Sequence, residues 1–397
     1  MGICVQVANE FWEDLSPRLK NLLLTYDEIK SVGTRKLDHK SYLSVSKNIL
    51  NLCLEEKQYL IYLRVLYEII HTNRIRGGVN ITIQLANAFL SSGDEIINRS
   101  LLEFPNYTSY AESNYLFILA EICYLYTLSH QVNDERLDKF FNLHEECINK
   151  WGDEEFEREF LLSKITLELM KGNLESATQH YKLRSSLPVP SYECYACSLM
   201  SDLEYLIASE QFNKVNDIIN NLIAGNTPSD YEPCDSTTPY MLYYEAILCS
   251  IRYNKLDYIK EIIPLFNESA LNTNKDFNNI TSISFSLQND YTYIDKSLDG
   301  FTEYIDDLNS LDVPFSSLED TLIWYIYFSR LYNSGVKNIS LNLNEPLFEN
   351  KGNLYDVQAI IEYLEKEADI IGNKFDKSRK NFNYAKRKET CNRLIKY

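Results

Sequence analysis

The chain of 397 residues has few residues that break regular structure: 12 Gly and 10 Pro, against 30 Tyr and 18 Phe. A β-sandwich or barrel needs many tight turns, and this composition argues against both. The densest apolar run, Leu116 to Leu128, contains Glu121 and is shorter than the roughly 18 residues that a membrane span requires. The composition therefore predicts an all-α protein that does not cross a membrane.

Features of a secreted protein are also lacking. Met1 to Trp12 contain no basic region followed by an apolar core, the pattern of a secretory signal. The nine cysteines are odd in number and lie mostly inside apolar helical patterns, as small core residues do. We therefore expect a cytoplasmic protein without a disulfide framework.

Motifs of catalysis and cofactor binding are absent too. The sequence contains no Gly-x-Gly-x-x-Gly, phosphate loop or Gly-x-Ser-x-Gly, and His144 lacks the second histidine of a His-Glu-x-x-His zinc site. We expect a chain that is not an enzyme and that uses no cofactor or metal.

Apolar residues recur at helical spacing along most of the chain. This periodicity predicts helices from Lys40 to Arg74, from Asn80 to Leu102 with a break near Gly93, and from Glu112 to Trp151. The alternation from Asn338 to Leu343 is the one strand candidate, and we interpret it as an extended loop.

The middle of the chain repeats around three tight turns, at Gly172, Glu210 and Asn254. The turns are 38 and 44 residues apart, and an amphipathic helix precedes each of them. After each turn come an apolar residue, then a small or β-branched one, then a large one, at the same offsets. These positions are Leu174, Ala177 and Tyr181 in the first copy, Phe212, Val215 and Ile219 in the second, and Leu256, Ile259 and Ile263 in the third.

The first copy, Gly172-x-Leu174-x-x-Ala177-x-x-x-Tyr181, resembles the second helix of a tetratricopeptide repeat. The other copies depart from this motif, because Val215 and Ile259 replace the small residue that lets the two helices approach closely. Their spacing also exceeds the usual repeat length of about 34 residues. The resemblance implies a right-handed α-solenoid of antiparallel helix pairs, in which each hairpin buries its apolar face against its neighbours.

A second resemblance covers roughly residues 110 to 385. It lies in the run from Ser191 to Cys197, in Pro346 to Gly352 and in Phe375 to Asn381, which are similar to a group of bacterial tetratricopeptide-like proteins without an assigned activity. We divide the chain into an N-terminal helical region (1–109), the repeats (110–275) and a C-terminal helical region with a basic tail (276–397). One continuous solenoid would join the three.

The charge is strongly acidic and uneven. The net charge is -18, yet Lys377 to Tyr397 carry +7, so the rest of the chain carries -25. An acidic surface repels nucleic acid and suits a basic partner or simply high solubility. The basic tail contains Phe382 and Tyr384, a combination that can bind nucleic acid, but docking on the acidic body or a solvated last helix is the favoured interpretation.

Two pairs of residues are candidates for chemistry. Cys194 and Cys197 form a Cys-x-x-Cys pair at a helix start, where a thiol pKa is lowered, but two core cysteines one turn apart are the simpler interpretation. Arg64 and His71 loosely match the Arg-x6-His motif of HEPN-type ribonucleases, although Val65 stands where that motif usually has a polar residue. Both could equally be solvated rim residues.

The sequence thus favours a binding protein that takes a protein or peptide, one with basic character, and that acts as a bacterial immunity or regulatory factor. A ribonuclease that uses Arg64 and His71, nucleic-acid binding through the basic tail, and a purely structural scaffold remain as alternatives.

Overall fold

The computed structural model is mostly helical, which confirms the predicted all-α class. It describes residues 12–31, 39–76, 79–152, 154–189, 195–226, 239–272, 298, 301–302, 304–305, 315–343, 347–348 and 352–396. These residues form fifteen α-helices, two short 3-10 helices and two strands of three residues. None of the helices in these ranges combines the length and the apolarity of a membrane span.

The chain divides into two compact units. Unit 1 comprises residues 1–126 and 136–156, and unit 2 comprises 127–135 and 157–397. Six of the described helices lie wholly or mostly in unit 1: α1 Pro17–Ser31, α2 His39–Glu55, α3 Tyr59–Arg76, α4 Val79–Glu103, α5 Thr108–Thr127 and α6 Asp134–Trp151. Successive helices from α1 to α4 pack against each other.

Unit 2 contains the remaining helices and the two strands. The helices are α7 Glu154–Met170, α8 Leu174–Ser186, α9 Tyr195–Ala208, α10 Phe212–Ile223, α11 Pro239–Arg252, α12 Leu256–Asn272, α13 Phe315–Asn333, α14 Val357–Ser378 and α15 Tyr384–Ile395. Helix α9 packs against α8, α10 and α11, and α11 packs against α10 and α12. The last helix, α15, contacts α11, α12, α13 and α14.

All three predicted helix ranges were wrong in their continuity. The range from Lys40 to Arg74 is two helices, because the backbone of Lys57 is left-handed (φ 58°) and ends α2 without the help of Gly or Pro. The range from Glu112 to Trp151 is also two helices, separated by residues 128–133.

The break expected near Gly93 does not occur, and α4 runs through it. A Cβ at this position would lie 3.3 Å from the ring of Phe89 and 3.4 Å from that of Tyr115. The glycine therefore makes room for two rings inside the packing and does not end the helix.

The loop interpretation of Asn338 to Leu343 was wrong for its first half. Strand β1, Asn338–Ser340, pairs antiparallel with β2, Leu354–Asp356, with Ile339 opposite Tyr355. Both of these central residues are buried. The partner strand β2 has only three residues, so its alternation of exposed and buried residues is too short to be recognised in the sequence.

The three turns of the repeat have the same geometry. Gly172, Glu210 and Asn254 have φ values of 72°, 62° and 60°. In each turn the next residue's N–H donates to the carbonyl five residues earlier at 2.8 Å, and the turn residue's own N–H donates to the carbonyl three residues earlier. This is the Schellman arrangement, which satisfies the free carbonyls at a helix C-terminus. The aligned copies are therefore equivalent at their turns.

The left-handed backbone at Glu210 predicts that glycine at this position gives a more stable fold than alanine does. A side chain in this conformation costs about 1 kcal/mol or more, and glycine avoids the cost. The carboxylate of Glu210 also pairs with Lys255 at 2.6 Å, and any substitution removes that exposed pair. We expect Glu210→Gly to be more stable than Glu210→Ala by about 1 kcal/mol in urea unfolding. Equal stabilities would show that the turn is unstrained.

Unit 2 contains two apolar cores. The first is formed by side chains of α7 to α13, together with α14 and α15. The second is aromatic and surrounds Trp324, whose ring lies edge-on to Phe301 and Tyr327, with centroids 5.2 and 5.6 Å away. Both strands contribute to this second core through Ile339 and Tyr355.

Candidate functional site

A cluster of charged side chains interrupts the first apolar core of unit 2. Arg252, at the end of α11, donates from Nη1 to Glu204 of α9 at 2.5 Å. Its Nε and Nη2 donate to the two carboxylate oxygens of Glu319 on α13, at 2.7 and 2.8 Å. The three side chains are only 10–14% exposed. One arginine thus joins carboxylates from two other helices.

Two hydroxyl groups complete the surroundings of Glu204. Tyr253 donates to Oε1 at 2.7 Å, and Thr166 of α7 donates to Oε2 at 2.9 Å. Burial favours the neutral acid, but Arg252 and these hydroxyl donors outweigh it and lower the pKa of Glu204 below its ordinary value. Glu204 is therefore an ionised carboxylate that accepts hydrogen bonds from Arg252, Tyr253 and Thr166.

A third carboxyl group, that of Glu245 on α11, has the opposite character. Burial raises its pKa above the ordinary value of 4.5, and the neighbouring charges of Glu319 and Glu204 raise it further, against the effect of Arg252. The Cys249 thiol lies 3.7 Å from its Oε1. Glu204, Glu245 and Glu319 therefore bring three carboxyl groups from three helices to one place, and burial favours a proton on one of them.

The raised pKa of Glu245 predicts how stability depends on pH. Below pH 4.5 the carboxyl is protonated in both the folded and the unfolded state, and it costs the fold nothing. As pH rises through the higher folded pKa, the unfolded state loses the proton more readily, and folding stability falls. We expect Glu245→Gln to be more stable than the parent at pH 7, with a gain that shrinks towards pH 4.5. Urea titrations at both pH values measure it, and a pH-independent difference would contradict the assignment.

The C-terminal helix α15 docks beside this cluster. Its residues Tyr384, Arg387, Cys391 and Leu394 are buried. Among the neighbouring charges, that of Glu319 acts most strongly on the pKa of Arg387. Burial lowers the pKa of Arg387 to about 10, and the neighbouring Arg252 contributes to the shift. The basic tail is therefore folded onto unit 2.

The aromatic residues that the structure describes in the basic tail offer no platform for bases. Phe382 and Tyr384 are only 4% and 5% exposed. Phe382 stacks on Phe375 with ring centroids 5.0 Å apart, and the Arg387 guanidinium lies 4.2 Å from the Phe382 centroid. The interleaved aromatics that favoured nucleic-acid binding in the sequence are therefore core residues, and stacking of bases on them is excluded in this fold.

The segment before α15 is attached through one arginine. Arg379 is completely buried and donates to the carbonyl oxygens of Ser129 at 2.8 Å and Thr127 at 3.4 Å, as well as to that of Val132. Burial lowers its pKa to about 10, against the effect of Asp134. These carbonyls lie at the end of α5 and just after it, so Arg379 satisfies the backbone where the predicted helix from Glu112 to Trp151 is interrupted.

The predicted repeat positions differ in burial. The middle position of every copy is fully buried, at Ala177, Val215 and Ile259, and Ile219 and Ile263 at the third position are buried as well. Tyr181 at the third position is half-buried and stacks on Tyr205, with centroids 4.0 Å apart. The first position is less covered: Leu174 is 42% exposed, and Phe212 and Leu256 are intermediate.

The ribonuclease candidates lie on one helix, α3, in unit 1. Arg64 Nη2 donates to Glu68 Oε1 at 2.6 Å, and His71 Nδ1 shares a hydrogen bond of 2.8 Å with Glu121 Oε1. Both also contact the ring of Tyr67, whose centroid lies 5.3 Å from the Arg64 guanidinium carbon. Each of the two candidates is thus paired with a carboxylate, which competes with a phosphate for the same group.

Of the cysteine pair, Cys197 is exposed on α9, so its interpretation as a core cysteine was wrong. Cys194 lies outside the described residues, as does the expected cap Ser191. In the ranges that the structure describes, no three side chains of His, Cys, Asp or Glu are grouped as metal ligands. Comparison with known proteins gives no match: no family model, no curated protein and no solved structure is significantly similar to the chain.

Proposed function

We propose that the chain is a non-enzymatic binding protein of the cytoplasm, in which unit 2 is a tetratricopeptide-like, right-handed stack of helix pairs that holds a basic protein or peptide. The main support is the meeting of Glu204, Glu245 and Glu319 from the three helices α9, α11 and α13. These carboxyl groups surround one guanidinium group, that of Arg252. A unit of this composition favours cationic over anionic groups.

The equivalent turns support the helix-pair arrangement. Each Schellman turn joins the two helices of one pair, and the three pairs align with each other in the sequence. Helix α9 contacts its own partner α10 and also α8 and α11, the contacts expected between neighbouring hairpins in a stack. The middle positions Ala177, Val215 and Ile259 are buried, as positions between two paired helices would be.

The second helices of the pairs add an acidic exposed surface. Along α8, α10 and α12 the exposed carboxylates are Glu175, Asp217, Asp257, Glu261 and Glu268, against the exposed lysines Lys182 and Lys214. Electrostatic attraction at such a surface accelerates the approach of a basic partner and selects against acidic ones. By holding a basic partner, the protein would neutralise or regulate it, as a bacterial immunity or regulatory factor does.

The proposal is tested by capture of a partner on the full-length chain from cells of its native host. The captured protein is then purified and titrated against the chain by calorimetry at 50 and 300 mM salt. We expect one partner of basic character, bound at a fixed stoichiometry and more weakly at high salt, because exposed charge pairs are screened. Absence of a stoichiometric partner, or a salt-independent affinity, would contradict the proposal.

We expect no cleavage when the purified chain is incubated with RNA. Arg64 and His71 are each paired with a carboxylate, Glu68 and Glu121, and that negative charge opposes the approach of phosphate. The His71→Ala variant serves as the matched control, read by gel electrophoresis of the RNA. Cleavage by the parent that the variant lacks would establish the ribonuclease alternative.

A further inference from the structure

The acidic cluster of unit 2 is not open to a partner. Arg252 occupies the carboxylates of Glu204 and Glu319, and all three side chains are largely buried. Helix α11, which carries Arg252, packs against α9, α10, α12 and α15. The second helices α10 and α12, in contrast, have exposed side chains along one side. A partner of unit 2 is therefore expected to contact these second helices.

Helices α10 and α12 lie side by side. The ring of Phe212 stacks on that of Tyr258 with centroids 4.3 Å apart, and the Tyr258 hydroxyl donates to Asn216 Oδ1 at 2.8 Å. Glu210 and Lys255, in the turns just before the two helices, are paired as well. Both helices therefore start at the same end of this contact and run in the same direction.

Two exposed apolar side chains lie at the same level of this contact. Ile223 follows Asn216 by seven residues, and Leu265 follows Tyr258 by seven. Seven residues make about two helical turns, so each side chain returns to the side of its helix that faces the other helix. Ile223 is 42% exposed and Leu265 is 43% exposed. The line of contact, which we call the α10–α12 seam, thus contains an apolar pair that is partly open to solvent.

Carboxylates lie one helical turn to either side of Leu265. Glu261 precedes it by four residues and Glu268 follows it by three, so that both are exposed on the same side of α12. Within the described part of the chain neither carboxylate forms an ion pair, and Lys260, the only cation of α12, pairs with Asp257 at 3.6 Å. The apolar pair therefore lies between two negative charges that attract cationic groups.

We propose that a basic amphipathic helix of the partner docks on the α10–α12 seam, with one of its apolar side chains packed between Ile223 and Leu265. Cations three or four residues to either side of that apolar residue then reach Glu261 and Glu268, because the same helical spacing separates these carboxylates from Leu265. The apolar contact supplies binding energy, and the two charges fix the position of the helix. The proposal rests on the proposed function and adds to it the surface and the kind of segment that binds.

A synthetic peptide tests this surface without the native partner. The labelled peptide has about 18 residues of leucine and lysine, arranged so that a helix carries its leucines on one side. Measured by fluorescence anisotropy, it should bind the full-length chain, and it should bind the variant Ile223→Ser, Leu265→Ser at least about tenfold more weakly. The matched control is Leu174→Ser, Leu183→Ser, because these two leucines of α8 are exposed to a similar extent, and it should bind as the parent does.

The charged part of the site is tested by Glu261→Gln, Glu268→Gln, which keeps the shape of both side chains. We expect this variant to bind the peptide about fivefold more weakly, with a smaller difference at about 300 mM salt, since exposed charge pairs are screened. A peptide with glutamate in place of lysine should bind none of the chains. No binding of the lysine peptide to the parent, or equal binding to the parent and to both seam variants, would overturn the proposal.

The captured partner distinguishes this failure from that of the proposed function. A partner that is lost with Ile223→Ser, Leu265→Ser and retained by the α8 control supports both proposals. Equal binding of the partner by the parent and this seam variant contradicts only the docking site, whereas the lack of any stoichiometric partner contradicts the proposed function and the docking site with it. Self-association of the chain that the seam variant abolishes would assign the seam to a second copy and would also overturn the proposal.

Discussion

Replacement of Arg252 by methionine is expected to destabilise unit 2 by about 3–5 kcal/mol. The arginine is the only hydrogen-bond donor described between Glu204 and Glu319, and its loss leaves these two carboxylates and Glu245 close together in a largely buried place. Methionine keeps much of the side-chain volume, so the lost charge dominates the effect. Urea unfolding followed by circular dichroism gives the free energy.

The matched control for this variant is Lys255→Met, three residues along the chain. Lys255 pairs with Glu210, whose side chain is 66% exposed, and exposed pairs contribute about 1 kcal/mol or less. If Arg252→Met costs no more than Lys255→Met, the cluster does not hold the helices together.

Replacement of Arg379 by methionine should lower the free energy of unfolding by a similar amount, about 3–5 kcal/mol, because backbone carbonyl groups lose their hydrogen bonds. The guanidinium is completely buried, and three carbonyl oxygens, those of Thr127, Ser129 and Val132, accept hydrogen bonds from it. An unsatisfied buried acceptor costs about 1–3 kcal/mol, and methionine satisfies none of the three. The same urea titration measures the loss.

Lys380→Met is the control, since the neighbouring Lys380 side chain is exposed and only its backbone N–H contacts Asp134. We expect its stability to lie within about 0.5 kcal/mol of the parent. A small effect of Arg379→Met, comparable to that control, would mean that water satisfies the carbonyls after the substitution.

The repeat was predictable from the sequence because it depends on local chemistry. A helix that ends in a left-handed residue, with apolar residues at fixed distances after it, leaves the same pattern in each copy. The structure gives Gly172, Glu210 and Asn254 one turn geometry and buries the middle position of every copy. The turn at Glu210 lacks Gly, Asn and Pro and was recognised only through its alignment with the other copies. At Lys57, which has neither such a residue nor an aligned copy, the same reasoning joined two helices.

The charged cluster could not be predicted, because it depends on which helices meet. Glu204 and Glu319 lie beside the apolar residues Leu203 and Leu318, and the sequence alone does not distinguish this position from the solvated edge of a helix. One signal was available: Thr166 and Glu204 stand six residues before their turns, at equivalent repeat positions, and they are hydrogen-bonded in the fold. Polar residues at equivalent positions of neighbouring repeats point to contact between them.

Two charge-reversed variants of the chain test whether unit 2 holds a partner through an acidic surface, as proposed above. One variant changes the exposed residues Glu175, Asp217, Asp257 and Glu261 of unit 2 to lysine. The other changes the same number of exposed acidic residues in unit 1 to lysine, and these are Glu13, Asp14, Glu55 and Glu103.

Both variants and the parent are used to capture partners from the same lysate, and the bound proteins are quantified by mass spectrometry. We predict that the parent and the unit 1 variant retain one basic partner in equal amount, and that the unit 2 variant loses at least about 90% of it. Equal retention by both variants, or loss from the unit 1 variant alone, would contradict the account.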